Sequence, residues 1–104
     1  MSTGSPEPLV VSCYADREGV TYGLDLATRR RLKQRFGEDV HTARRIFIAH
    51  ETSPNFEEIH RPVRKQLILL LTGIAEDRLN ELGAVEFRDP VTDDALARVE
   101  ADQL

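Results

Sequence analysis

Two neighbouring segments near the N-terminus constrain the fold most strongly, because together they predict a β-hairpin with one apolar face. Leu9–Ala15 is rich in β-branched and apolar residues, and apolar residues occupy every second position of residues 20–26. The short polar segment between them ends in Gly19, which can adopt a positive φ in a tight turn. The chain that follows must therefore cover the apolar face of this hairpin.

Two further segments predict helices by their local pattern. Residues 28–36 place apolar residues four positions apart on one face, with Asp25 or Thr28 as the N-cap and Gly37 at the C-terminal end. Residues 40–50 fit either a helix with one apolar stripe or a short buried strand over residues 46–49. Because the acidic residues at positions 38 and 39 suit a helix N-terminus, we expect a helix there.

The longest apolar run, residues 67–71, lies within a helical pattern over residues 63–82 that Gly83 ends. Because this run is apolar on every side, the helix must be central in the fold or shared with a second chain. Thr72 and Gly73 would allow two backbones to approach closely. A homodimer is therefore weighed against a self-sufficient monomer, and its predicted interface consists of Leu67, Leu70, Leu71 and Ile74.

The remaining pattern completes the predicted architecture. Residues 84–88 alternate as a strand does, and the polar residues 92–94 predict the N-cap of a C-terminal helix. We therefore expect the α+β class, with a small antiparallel sheet (the N-terminal hairpin plus one later strand) packed on one side by three to four helices. Residues 1–8 predict a disordered lead-in, and residues 9–104 predict a single globular domain.

Composition limits the cellular setting. The chain has 104 residues, of which 40% are hydrophobic and 31% charged, too apolar for a disordered chain and too polar for a membrane protein. The first residues lack the features of a signal peptide. The single cysteine, Cys13, permits no internal disulfide and predicts a small core residue rather than a nucleophile. These features predict a cytoplasmic protein.

Charge is distributed unevenly, although the net charge is only −4. Residues 28–45 hold seven basic and two acidic residues, whereas residues 76–104 hold nine acidic and three basic residues. Such asymmetry is typical of a surface that binds a partner of opposite charge, or of two surfaces that meet each other. The predicted partner-binding residues are Arg29, Arg30, Lys33 and Arg35.

Paired Glu-x-x-His motifs raise a metal site as a further hypothesis. On a helix, residues three positions apart share a face, which lets a carboxylate and an imidazole reach one metal ion. The competing interpretation is that the glutamates lie at helix starts and the histidines at the surface, and it is favoured because further ligand-bearing helices are not evident. The candidate ligands are Glu38, His41, Glu57 and His60.

No pattern predicts a nucleophile constellation, a phosphate-binding glycine loop or a cofactor, and the aromatic residues are spaced as core residues rather than as a platform for bases. We therefore expect a protein without enzymatic activity: a small regulator, adaptor or inhibitor of bacterial or phage type that binds a protein with an acidic surface. The alternative is a nucleic-acid-binding regulator that uses residues 28–36, although the acidic net charge is unusual for that class.

Overall fold

The sheet that begins with the N-terminal hairpin has five strands. The structure is a computed structural model that describes residues 8–37, 40, 45–49 and 61–104. Its strands lie side by side in the order β3-β2-β1-β4-β5. They are β1 (Leu9–Ala15), β2 (Gly19–Gly23), β3 (Arg45–Ala49), β4 (Ala84–Arg88) and β5 (Ala95–Glu100).

The predicted hairpin is confirmed. β1 and β2 pair antiparallel, with Cys13 opposite Tyr22. In the turn, the Asp16 carboxylate accepts hydrogen bonds from the backbone N–H groups of Glu18 at 2.8 Å and Gly19 at 3.2 Å. The polar turn is thus held by its own first side chain, as is common for aspartate in turns.

The helix expected over residues 40–50 is wrong for residues 45–49, which form the edge strand β3. β3 pairs antiparallel with β2, placing Ile48 opposite Val20 and Ile46 opposite Tyr22. This pairing brings the backbones of β2 and β3 very close together at the start of β2, where a Cβ on Gly19 would lie 2.1 Å from the carbonyl oxygen of Ile48. Pairing with a strand that is distant in sequence outweighs the local helical pattern.

β4 forms where a strand was expected, but it pairs parallel with β1 on one side and antiparallel with β5 on the other. Leu9 lies opposite Val85 and Val11 opposite Phe87, and all four side chains are buried. The expectation of a small antiparallel sheet is therefore wrong: the sheet is mixed and five-stranded. The class of the fold is α+β.

The C-terminal helix expected after residues 92–94 is also wrong, because this segment turns back to form β5. The backbone N–H of Asp89 donates to the carbonyl oxygen of Asp94 at 3.0 Å. The Asp89 carboxylate in turn accepts the N–H groups of Val91 at 2.8 Å and Thr92 at 3.2 Å. Polar residues that suit a helix N-cap suit a tight turn equally well, since both satisfy backbone N–H groups by side chains.

The described part of the chain contains two α-helices, not the three to four helices expected to cover the sheet. α1 (Leu26–Phe36) matches the prediction, with the Asp25 carboxylate accepting the N–H of Thr28 at 2.7 Å. α2 (Arg64–Thr72) ends at Gly73, although the pattern predicted one helix to residue 82. Three short 3-10 helices are also present: Arg61–Val63, Glu76–Leu82 and Ala101–Gln103.

Gly73 ends α2 because it adopts a left-handed conformation, with φ 69° and ψ 13°. Its N–H donates to the carbonyl oxygen of Leu69 at 2.9 Å, the bond typical of a glycine C-terminal stop. The buried hydroxyl of Thr72 donates to the carbonyl of Ile68 at 2.7 Å and accepts the N–H of Ile74 at 3.3 Å. Thr72 and Gly73 therefore end the helix and turn the chain towards Ile74.

Both α-helices contribute apolar side chains to one core on the inner face of the sheet. α1 contributes Leu32 and Phe36, and α2 contributes Leu67, Ile68 and Leu71. The other face of the sheet carries no described helix. Neither described helix has the length and apolar character needed to cross a bilayer.

Candidate functional site

The helix α1 carries five cations and no acidic residue, and its fold places these cations on three different sides. Thr28, Leu32 and Phe36 follow one another at four-residue intervals and are buried against the core. With 3.6 residues per turn, the remaining positions divide into an outer face and two flanks. The structure therefore does not unite the four predicted partner-binding residues in one patch.

The outer face of α1 includes three neighbouring residues, Leu26, Arg30 and Lys33. All three are exposed, and Leu26 keeps 53% of its surface accessible. Within the part of the chain that the structure describes, neither Arg30 nor Lys33 makes a side-chain hydrogen bond or ion pair. Two unneutralised cations around an exposed leucine form a surface suited to an acidic partner.

Arg29 lies on one flank of the helix and is only partly exposed. Its Nε is buried and has no hydrogen-bond partner among the described residues. The guanidinium groups of Arg29 and Arg31 contribute to lowering the pKa of Asp25, although the main cause is the hydrogen bond from the Thr28 backbone N–H. Arg29 is thus turned partly towards its own domain.

Arg35 lies on the opposite flank with Arg31, one turn earlier. The Arg35 guanidinium donates to the backbone carbonyl of Glu81, in the 3-10 helix before β4. Arg31 donates to the hydroxyl of Thr28 at 3.4 Å. This second flank therefore faces the acidic C-terminal third of the chain, residues 76–104. Arg35, however, donates to a backbone carbonyl there and not to a carboxylate.

The Glu81 carboxylate is held instead by Arg78, whose guanidinium donates to both of its oxygens at 2.8 and 3.1 Å. This bidentate pair is the first cause of a lowered pKa at Glu81. Arg78 also donates to the carbonyl of Phe36 at 3.3 Å and stacks 4.8 Å from the centre of its ring. Arg35 lies 5.4 Å from the centre of the same ring, so two guanidinium groups contact Phe36.

A cleft opens between this flank of α1 and the chain segment that leads into β4. Its volume is about 220 Å³. Its apolar walls come from buried side chains of three elements, and two arginines complete it: the lining residues are Leu9, Thr28, Arg31, Leu32, Arg35, Phe36 and Leu82. The cleft thus combines an apolar interior with two cations, and none of the described residues that line it carries a carboxylate.

The residues predicted for a dimer interface do not share one surface. Leu67, Leu71 and Ile74 are buried in the core of the chain itself. Leu70 keeps 63% of its surface exposed. A dimer through α2 remains a prediction, and in this fold Leu70 is the member of the predicted set that is available to contact a second chain.

The four metal-ligand candidates, Glu38, His41, Glu57 and His60, lie outside the described residues. Within the described ranges, no group of three or more histidine, cysteine, aspartate or glutamate side chains is arranged to hold a metal ion. The lead-in expected over residues 1–8 also lies outside the description, except for Pro8.

Cys13 is buried in the core, as expected from its apolar surroundings in sequence. Burial raises the pKa of its thiol to about 12, and burial likewise raises the pKa of Tyr22, its cross-strand neighbour. The thiol is therefore protonated near neutral pH, and a protonated thiol is a poor nucleophile.

Sequence reasoning missed the aromatic side chains on the sheet face that carries no described helix. Tyr14 and Phe47 were expected in the core, yet they keep 47% and 50% of their surfaces exposed. Thr21 lies between them in the sheet, paired with Tyr14 on one side and with Phe47 on the other. The alternative of a strand over residues 46–49 included Phe47, but no sequence signal paired that strand with β2.

Comparison of the chain with protein-family models, with curated protein sequences and with solved structures found no match.

Proposed function

We propose that the chain is a non-enzymatic interaction module, a regulator, adaptor or inhibitor, whose outer face of α1 docks on an acidic surface of another protein. The observation that carries the proposal is the pair Arg30 and Lys33, both exposed beside Leu26 and without an ionic partner among the described residues. The single buried cysteine supports a reducing compartment such as the cytoplasm.

The physical basis is the difference between neutralised and unneutralised charge. Acidic residues of the C-terminal third are engaged locally: Glu81 pairs with Arg78, Glu76 with Lys65 at 3.0 Å, and Glu86 with Arg88 at 2.6 Å. An exposed cation without such a neighbour keeps its full charge for a partner. Charges of this kind chiefly set the choice of partner and the rate of association. An exposed apolar side chain such as Leu26 adds buried area to the interface.

The test uses charge reversal on α1 with a control that changes the net charge equally. The variant is Arg30→Glu with Lys33→Glu, and the control is Arg17→Glu with Arg45→Glu, two exposed cations outside α1. Tagged wild type and both variants are used to recover partners from the organism that encodes the chain. Each recovered protein is then purified, and its affinity for the three proteins is measured by calorimetry.

The proposal expects an acidic protein that binds the wild type and the control alike, and binds the α1 variant about tenfold to a hundredfold more weakly. Circular dichroism must show that both variants remain folded. Equal weakening in variant and control would mean that only net charge matters. Undiminished binding by the α1 variant would place the interface elsewhere, and either result would refute the proposal.

The alternative function is nucleic-acid binding by the same helix, which the five cations of α1 favour. It predicts affinity for duplex DNA or single-stranded RNA that falls steeply as salt rises from about 50 to 200 mM. Fluorescence anisotropy with labelled oligonucleotides of mixed sequence measures this directly. No binding at the lowest salt concentration would exclude this alternative.

A further inference from the structure

We infer that the cleft beside α1, lined by Leu9, Thr28, Arg31, Leu32, Arg35, Phe36 and Leu82, is a binding site for a small organic carboxylate with an apolar body of about one aromatic ring. This inference is independent of the proposed docking surface, because none of its residues belongs to the outer face of α1.

The size of the cleft sets the size of the ligand. A dry cavity of about 150 Å³ lined by aliphatic and aromatic side chains suffices to bind benzene. The cleft, at about 220 Å³, therefore accommodates a benzene-sized ring together with a short polar group. Its apolar walls, Leu9, Leu32, Phe36 and Leu82, are side chains of the buried core and are hence held in place by packing.

The charge of the cleft sets the chemistry of the ligand. Arg31 and Arg35 lie one helical turn apart and both line the cleft, and the described residues of its lining include no carboxylate. A guanidinium has five N–H donors arranged as a planar fork, so donation to the Glu81 carbonyl leaves Arg35 with further donors for a carboxylate. Both oxygens of the nearby Glu81 carboxylate accept hydrogen bonds from Arg78, so this carboxylate competes less for Arg35.

The cleft wall is also positioned before any ligand binds. Arg78 stacks on the ring of Phe36 and donates to its carbonyl, while Arg35 is tied to the segment beside Leu82. A site with fixed walls and fixed cations loses little conformational entropy on binding, which is the advantage of preorganisation. An aromatic ring in the ligand would then lie against the edge or face of Phe36.

The test uses phenylacetate as the probe, with phenylacetamide as its neutral analogue of the same shape. Binding is followed by ¹H–¹⁵N NMR on the full chain, titrated to about 10 mM ligand. The expected result is saturable shifts confined to the cleft, at the amides of residues 9, 28, 32, 36 and 82. Because the charge-assisted hydrogen bonds are absent, phenylacetamide should bind about tenfold more weakly.

Variants distinguish the cleft from nonspecific attraction. Arg35→Gln removes an exposed cation of the cleft and should weaken phenylacetate binding about tenfold, and Arg31→Gln should act in the same direction. Arg98→Gln, a change of the same charge on β5, should leave the affinity within about twofold. Hexanoate reports whether an aliphatic body serves as well as a ring.

The inference is refuted if phenylacetate produces no shifts in the cleft, if phenylacetamide binds equally well, or if Arg35→Gln and Arg98→Gln weaken binding to the same extent. None of these results depends on Arg30 or Lys33. Failure of this inference and failure of the proposed docking function are therefore separate outcomes.

Discussion

Alanine substitutions at Gly19 and at Gly37, compared with each other, should separate two costs that usually occur together, backbone strain and steric overlap. Gly19 has a φ of 157°, and its Cβ would lie 2.1 Å from the carbonyl oxygen of Ile48, a backbone atom that cannot rotate away. Gly37 has a φ of 106°, and a Cβ built there meets nothing within 4 Å. Gly37→Ala is therefore the matched control for strain alone.

The expected magnitude follows from these contacts. Strain at a position that side chains rarely adopt costs about 1–2 kcal/mol, and this is the whole expected cost of Gly37→Ala. In Gly19→Ala, β3 must also move away from the start of β2, which breaks the pairing of Gly19 with Ala49 and of Val20 with Ile48. If two backbone hydrogen bonds are lost at about 1 kcal/mol each, Gly19→Ala lowers the free energy of unfolding by about 2 kcal/mol more than Gly37→Ala does.

Urea unfolding followed by circular dichroism gives both free energies of unfolding, and hydrogen exchange shows where protection is lost. The extra destabilisation of Gly19→Ala should coincide with faster exchange in β3, whereas exchange in β4 and β5 should be affected only through global stability. Equal destabilisation by the two substitutions, with β3 as protected as in the wild type, would show that the close approach of β2 and β3 does not control this edge of the sheet.

Five further substitutions examine the core, the surface of α2 and the buried thiol. Thr72→Val should lower the free energy of unfolding by about 1–3 kcal/mol, because the buried N–H of Ile74 loses its acceptor; a neutral result in urea unfolding would contradict this. Leu67→Ala should cost about 2–5 kcal/mol, whereas Leu70→Ala should change the free energy of unfolding of a monomer by less than about 0.5 kcal/mol. Analytical ultracentrifugation of Leu70→Glu tests the predicted dimer: an α2-mediated dimer should dissociate, and a dimer that persists would refute this interface. For Cys13, the pKa rises from 9.0 when exposed to about 12 when folded, so above pH 9 the unfolded chain ionises first and stability falls as pH rises. Between pH 9 and 12 the free energy of unfolding should fall more steeply in the wild type than in Cys13→Ala, and parallel curves would contradict the raised pKa.

Local interactions explain which parts of the fold could be predicted from the sequence. The hairpin and α1 are each fixed by signals within a few residues: alternation and an aspartate turn for the hairpin, an aspartate cap and a glycine stop for the helix. β3 and β5 are fixed by partners that lie elsewhere in the chain. The segment of β3 also fits a helical stripe, and pairing with β2 decides between the two structures.

Glycine and polar residues gave the most misleading signals because their roles overlap. Gly73 was interpreted as a position for close backbone approach within a long helix, whereas its left-handed conformation ends α2. The polar residues before β5 were interpreted as a helix cap, although they form a turn around Asp89. In both cases the residue type limits the backbone geometry without choosing between the structures that contain it.

The candidate site also combines a feature that the local sequence predicts with features that depend on how distant segments pack. That α1 would be basic follows from its composition, but the division of its cations between an outer face and a cleft depends on which side packs against the sheet. The cleft itself joins Leu9 at the start of β1 to Leu82 at the end of a 3-10 helix. Two walls so distant in sequence become neighbours only because β4 pairs with β1, so no local pattern predicts the cleft.

The parallel pairing of β1 with β4 has a consequence for synthesis of the chain on a ribosome. β1 emerges early and can pair at once with β2, but its second edge remains open until β4, which begins at Ala84, has emerged. At ordinary rates of translation this interval is on the order of several seconds. During it, an apolar strand with unpaired backbone groups is exposed to other chains, which is the situation that promotes aggregation or chaperone binding. The yield of folded protein should therefore depend on how rapidly the segment between β2 and β4 is translated.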